Sequence, residues 1–131
     1  MKIFIVEDDP VSLKLACAVL QSGGHTVMSA MSADQAILSL KAGKPDAILL
    51  DLQLPGIKGL AIARQCRDEP ATRYIPIIAV TAFSDDYLRA DALEAGCDDY
   101  LIKPLNTRTL LQQVENVVFA KAQQFQGEPR P

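Results

Sequence analysis

Three short segments of this chain, Lys2–Val6, Ala47–Leu50 and Ile75–Val80, read as nearly continuous apolar runs, and helical signals separate each from the next. A strand apolar on both faces has no side to give to water, so it belongs inside a parallel sheet covered by helices above and below. Two further strands are expected at His25–Ala30 and Tyr100–Ile102. Strand and helix then alternate five times, which implies right-handed crossovers and an α/β sandwich.

The helices between the strands carry start and stop signals. Asp9-Pro10 supplies an N-cap and a first helical residue, and that helix stops near Ser22 at Gly23-Gly24. Ser32 with Gln35 three residues on has the form of a capping box, and Gly43 with Pro45 closes the helix. Pro55-Gly56 and Gly59 lead into a helix over Leu60–Arg67, which Pro70 breaks. Ser84-Asp85-Asp86 caps the next, with acids where the helix dipole favours them, and Gly96 ends it. The last helix is expected from Thr107, with Leu110, Val114, Val117 and Lys121 on one face and Leu111 and Val118 widening it.

The 131 residues suit one domain, and 49% hydrophobic with 22% charged residues is a globular composition. Residues 1–122 are expected to form that domain, with 123–131, "QQFQGEPRP", a short flexible tail. Phe119 and Phe125 beside it read as loose packing on the last helix rather than a partner patch. A net charge of −3 leaves no broad basic surface for nucleic acid or an anionic membrane. No apolar run is long enough to span a bilayer, and "MKIFIVEDD" lacks the features of a signal peptide. Cys17, Cys66 and Cys97 are an odd, widely spaced set without a C-x-x-C. They point to a reducing, cytoplasmic setting in which all three act as small buried apolar groups.

Ligands of an open parallel sheet bind at the carboxyl ends of its strands. Glu7, Asp8 and Asp9 follow the first strand, Asp51 the third, Thr81 the fourth and Lys103 the fifth. Taken singly, each has an ordinary reading: Asp9 as a helix cap, Asp46 as a solvated flank, an Asp after a strand as a turn residue. Taken together, several acids, a hydroxyl and an ammonium meet at one edge, and neighbouring carboxylates resist ionising together unless a cation neutralises them. An oxygen-only acidic pocket suits Mg²⁺, and the lack of His or Cys there argues against zinc.

With "FIVEDDP", "LLDLQLPG", "IIAVTAF" and "YLIKP" in place, the sequence resembles the receiver domains of two-component response regulators over about residues 2 to 120. The resemblance implies a flavodoxin-like (βα)5 fold with strand order 2-1-3-4-5. It implies that Asp51 accepts a phosphoryl group from a histidine kinase or a histidine phosphotransfer protein. Mg²⁺ would be held by Asp8 and Asp51, by Glu7 largely through water, and by the backbone carbonyl of Gln53. Lys103 would pair with the phosphoryl oxygens, Thr81 would turn in as the switch, and Lys103-Pro104 would be cis. Tyr100 matches the aromatic residue coupled to that threonine, though a plain strand aromatic is as good a reading. Output would then pass through the fourth helix, fifth strand and fifth helix, where Tyr87, Asp91 and Glu94 share a face, to a monomer's partner or a phosphorylation-dependent dimer.

The first helix is apolar around more than one stripe, with Val11, Leu13, Leu15, Ala16, Val19 and Leu20. Generous burial is the plain explanation; docking of the phosphodonor's helical bundle is the other. Lys58 departs from the family's usual Asp, and Gln53 and Phe83 stand where the family tunes dephosphorylation. The sequence is also similar, more weakly, to single-domain regulators of cell-division control and to receivers of hybrid kinases. Its start at Met1 on the first strand and its short tail favour a single-domain regulator over a piece of a longer protein.

Rival readings lack their chemistry here. An aspartyl phosphohydrolase of the haloacid dehalogenase type needs an acid two residues after the nucleophile, where Gln53 stands. A flavin-binding domain would want a phosphate-cradling loop where three acids follow the first strand. A degenerate, binding-only receiver would have lost Asp51, Lys103 or the acidic pair.

Overall fold

The computed structural model describes residues 1–54, 59–82 and 86–124, and of 86–88 the backbone alone. The Pro55-Gly56 turn, Lys58, Phe83, the Ser84-Asp85 cap, Phe125 and the side chain of Tyr87 lie outside the described residues. The elements alternate as β1 Lys2–Val6, α1 Pro10–Ser22, β2 Thr26–Ala30, α2 Ala33–Ala42, β3 Ala47–Asp51, α3 Gly59–Asp68, β4 Ile77–Thr81, α4 Asp86–Glu94, β5 Asp99–Ile102 and α5 Leu110–Gln124. All five strands are parallel, in the expected order β2-β1-β3-β4-β5.

The period of two along each strand splits the core into two layers. Phe4, Val6, Ile48, Leu50, Ile77 and Ala79 point to one face, where Ala36, Ile62 and Ala92 of α2, α3 and α4 cover them. Ile3, Ile5, Leu49, Ile78 and Val80 point to the other, against Ala16 and Leu20 of α1 and Leu110 and Val114 of α5. Every residue of β3 and β4 is buried, including the polar residues that end them.

Several boundaries differ from the sequence expectation for local reasons. Pro76 has no N–H to give a ladder, so β4 begins at Ile77 although the Pro76 carbonyl still accepts from Ile48 N–H at 2.9 Å. It runs on to Thr81, whose carbonyl accepts from Lys103 N–H at 2.7 Å. The last helix starts at Leu110 rather than Thr107, because Asn106 folds the intervening residues into a turn. Its Oδ1 accepts from Arg108 N–H and its carbonyl from Thr109 and Leu110 N–H. Asp9 and Ser32 cap α1 and α2 as expected. The Gln35 side chain, however, reaches one residue further back than a capping box, to Met31 N–H at 3.0 Å.

At the end of the sheet away from the acids, Arg67 of α3 donates to the carbonyls of Gly96, Arg73 and Ile75 and pairs with Asp98 at 2.9 Å. Asp98 also accepts from Ile77 N–H at 2.8 Å and pairs with Lys121 of α5 at 2.8 Å. This explains why a lysine sits on the apolar face of α5: its stem packs and its ammonium finds Asp98. Gly96 ends α4 at φ +104, a conformation that favours glycine, and a Cβ there would sit 2.5 Å from Arg67 Cγ.

Candidate functional site

The carboxyl ends of β1, β3, β4 and β5 bring Glu7, Asp8, Asp51, Thr81 and Lys103 to one edge. Glu7 is 5% exposed, Asp51 2% and Thr81 0%, so the polar chemistry is held by the core rather than displayed on a loop. β3, which lies between β1 and β4, carries Asp51 as its own last residue, opposite Val80 of β4. Gly59 opens α3 directly against this point: a Cβ there would lie 2.6 Å from the Asp51 carbonyl oxygen and 2.9 Å from Leu52 Cα. Only glycine lets the helix come so close.

Glu7, Asp8 and Asp51 each offer a carboxylate oxygen, all within 4.8 Å of one another. Lys103 Nζ lies 2.6 Å from Glu7 Oε1 and 3.3 Å from Asp51 Oδ2. Asp51 Oδ1 accepts from the backbone N–H of Gln53 at 2.9 Å, and Glu7 Oε2 from that of Asp9 at 3.3 Å. Asp9 itself turns away to cap α1, with its carboxylate on Ser12 N–H and Oγ–H. Asp46 is exposed, and its carboxylate accepts from Lys2 N–H at 2.7 Å, far from this cluster in the sheet. The Tyr100 ring is buried in the layer beneath α2, α3 and α4, beside Ala79 in the register. The Lys103-Pro104 peptide is cis.

Burial, and the hydrogen bond it shares with Asp51, push the Glu7 carboxyl up to about 7 against the pull of Lys103. Burial opposes the charge on Asp51 too, but hydrogen bonds from Glu7, Gln53 N–H and Lys103 outweigh it and hold that carboxyl below its ordinary value. For Lys103 burial favours the neutral amine, yet the Glu7 hydrogen bond and the two carboxylates keep the ammonium above its usual range. The two buried carboxylates lean on a single ammonium, so the site carries more negative charge than one lysine balances. With oxygen donors only, the cluster fits a hard divalent cation and no zinc-type donor set.

Sequence reasoning did not reach two features. One is the ion pair of Lys103 with Glu7, which is shorter than its pair with Asp51. The other is the Gln53 side chain, which hydrogen-bonds Thr81 Oγ1 through Nε2 and accepts from Ala82 N–H at 3.1 Å through Oε1. Only the position of Gln53, two residues beyond Asp51, hinted at it.

The response regulator receiver domain family matches residues 3–115. The transcriptional regulatory protein AruR of Pseudomonas aeruginosa is 38% identical over 122 residues, 89% of this chain and 49% of that protein. The phosphate regulon transcriptional regulatory protein PhoB of Escherichia coli is 34% identical over 117 residues, 89% of this chain and 51% of its own. The chain therefore spans about half the length of these curated relatives. Among solved structures, the receiver domain of a sensor histidine kinase of Pseudomonas aeruginosa PAO1 is 35% identical with a TM-score of 0.82. The likeness covers 90% of this chain and 97% of that one, whose structure has a magnesium ion coordinated in the active site cleft. On its sequence, its strand order and its acidic edge, this chain belongs to the receiver domains of two-component response regulators.

Proposed function

We propose that residues 1–122 act as a phosphorylation-dependent switch in which Asp51 is the phosphoacceptor. The observation that carries this is the buried Asp51 carboxylate at the end of β3, with Glu7 and Asp8 oxygens within 4.8 Å and the Lys103 ammonium at 3.3 Å. Asp8 and Asp51 would hold Mg²⁺, with Glu7 acting through water and the Gln53 carbonyl completing the protein ligands. The bound cation supplies the positive charge that the carboxylates and an incoming phosphoryl group together require.

In the transfer, an Asp51 carboxylate oxygen forms the new bond to phosphorus as the phosphorus–nitrogen bond to the donor histidine breaks. The imidazole leaves with the electron pair and takes a proton. Little covalent help is needed, because the transition state is loose and asks mainly for alignment and neutralisation of its equatorial oxygens. Lys103 already stands over Asp51, and it can exchange a carboxylate partner for a phosphoryl oxygen with a small movement of its flexible stem. Thr81, at the end of the neighbouring strand, would then donate to another phosphoryl oxygen, and Tyr100 would follow it.

The phosphodonor is a histidine kinase or a histidine phosphotransfer protein. Val11 and Leu15 of α1 are 76% and 46% exposed, so the apolar excess of this helix is not spent on burial. Leu15 borders a cleft of about 350 Å³ that it shares with Ser12, Ala82, Lys103, Pro104 and Leu105. An apolar helix face leading to the acceptor suits a helical donor. The output face is α4–β5–α5, where Asp91, Leu93, Glu94 and Ile102 are exposed, and it serves a protein partner or a phosphorylation-dependent dimer.

Intact mass after incubation with a small phosphodonor tests the core of this reading. A gain of one phosphoryl group that needs Mg²⁺ and is absent in Asp51→Asn is expected. No gain under any condition leaves a binding module as the better account.

A further inference from the structure

The Gln53 side chain makes two hydrogen bonds that the phosphoacceptor reading leaves unused. Its Nε2 donates to Thr81 Oγ1, and its Oε1 accepts from Ala82 N–H at 3.1 Å. The orientation is set by chemistry: a backbone N–H can only donate, so the amide oxygen faces Ala82 and the NH₂ is left for the hydroxyl. The same residue is tied through its own backbone N–H to Asp51 Oδ1 at 2.9 Å. Asp51 stands opposite Val80 in the ladder, so Thr81 and Ala82 are the next two residues along that neighbouring strand. Gln53 therefore bridges the acceptor carboxylate and the end of β4.

We infer that the Gln53 amide is a latch on the end of β4, a neutral occupant of the groups that a phosphoryl group on Asp51 would recruit. The inference rests on the phosphoacceptor reading of Asp51. Phosphoryl oxygens only accept hydrogen bonds, and Ala82 N–H and the Thr81 hydroxyl are the donors that end β4 can offer them. In the resting chain the Gln53 carbonyl oxygen already sits on Ala82 N–H, as a phosphoryl oxygen would but without its charge. Its NH₂ meanwhile holds Thr81 Oγ1. Phosphorylation must break the neutral bond on Ala82 N–H to make a charge-assisted one, which is roughly twice as strong, and must move Thr81 out of the position its bond from Nε2 fixes. The exchange runs forward, and the latch sets how far. Gln53 is thus a positioning residue that biases the switch toward its resting arrangement while its backbone remains available to the metal.

The test is a titration with beryllofluoride, a phosphoryl analogue that binds an aspartate carboxylate together with Mg²⁺, followed through the Ala82 amide by ¹⁵N NMR. Gln53→Met keeps the length of the side chain and removes both hydrogen bonds. It is expected to bind beryllofluoride roughly three- to tenfold more tightly than the wild-type chain, the effect of losing a net hydrogen bond or two from the resting state. Both chains are titrated at saturating Mg²⁺, so that a change in metal affinity does not enter, and the resting Ala82 resonance of the variant should already be displaced. Equal or weaker beryllofluoride binding at saturating Mg²⁺ overturns the latch. If the wild-type chain takes up no beryllofluoride with Mg²⁺, or takes it up equally well as Asp51→Asn, the phosphoacceptor reading fails and the latch with it. Should Gln53→Met not fold, Gln53→Ala is read by the same criteria.

Discussion

At the residue scale, burial decides what each polar or titratable group can do. Asp51 and Glu7 are buried as deeply as leucines, yet one lysine serves both, so their charge is strained in the absence of a cation. The cysteines show the same principle without a task. Burial raises the Cys66 thiol and pushes Cys97 up to about 12, while Cys17 is only partly buried. A thiol-disulfide reagent at mildly alkaline pH is expected to label Cys17 first, and to label Cys66 and Cys97 only at the rate of unfolding. Rapid labelling of all three would contradict this. The pH dependence has a definite sign. Cys97 stays protonated in the folded chain while the unfolded thiol ionises near 9, so the folded chain binds more protons between about 9 and 12. Its contribution to stability is complete below 9 and is lost as pH rises through that window, which denaturant melts across alkaline pH would record.

At the scale of elements, the contacts that aim the site are backbone contacts. Gly59→Ala would press a Cβ onto the Asp51 carbonyl at 2.6 Å, with no flexible side chain to give way. A loss of about 1–3 kcal/mol in unfolding free energy is expected from such overpacking, with slower phosphorylation because Asp51 itself is displaced. Denaturant titration beside the mass assay measures both, and a variant of wild-type stability would show that α3 can retreat freely. α1 gives a contrasting case, since Val11 on its outer face is 76% exposed. Val11→Asp should shift unfolding by no more than about 0.5 kcal/mol. Phosphorylation by a small donor should stay as it is, while transfer from a phosphohistidine protein should slow by roughly tenfold or more. Slowing with both donors would place the fault in the site and not in docking.

At the scale of the whole molecule, the sheet holds the site at one end and the Arg67–Asp98–Lys121 cluster at the other, so α3, β4, β5 and α5 are braced where the chemistry is not. Among the described residues no helix is long and apolar enough to cross a membrane. A ligand that binds only the folded state stabilises all of it, so Mg²⁺ at ten times its dissociation constant should add about 1.4 kcal/mol, or roughly 5 °C in the melting midpoint. Asp8→Asn and Asp51→Asn should each remove most of that shift in a thermal melt, and an undiminished shift would place the cation elsewhere. The parallel sheet covered on both faces and the meeting of Glu7, Asp8, Asp51, Thr81 and Lys103 at one edge were legible in the residues, while the strand order came only with the family resemblance. Burial on two faces forces apolar runs, and parallel topology sends every carboxyl end to the same side. Boundaries were less so, because Pro76 and Asn106 act through hydrogen bonds their neighbours make or lack. What only the tertiary structure decided was pairing across strands: Lys103 closer to Glu7 than to Asp51, Lys121 on Asp98, and the Gln53 amide on Thr81 and Ala82. Periodicity says which face a side chain takes, but a partner tens of residues away is chosen by register and by ångström-scale reach, and those exist only once the sheet has closed.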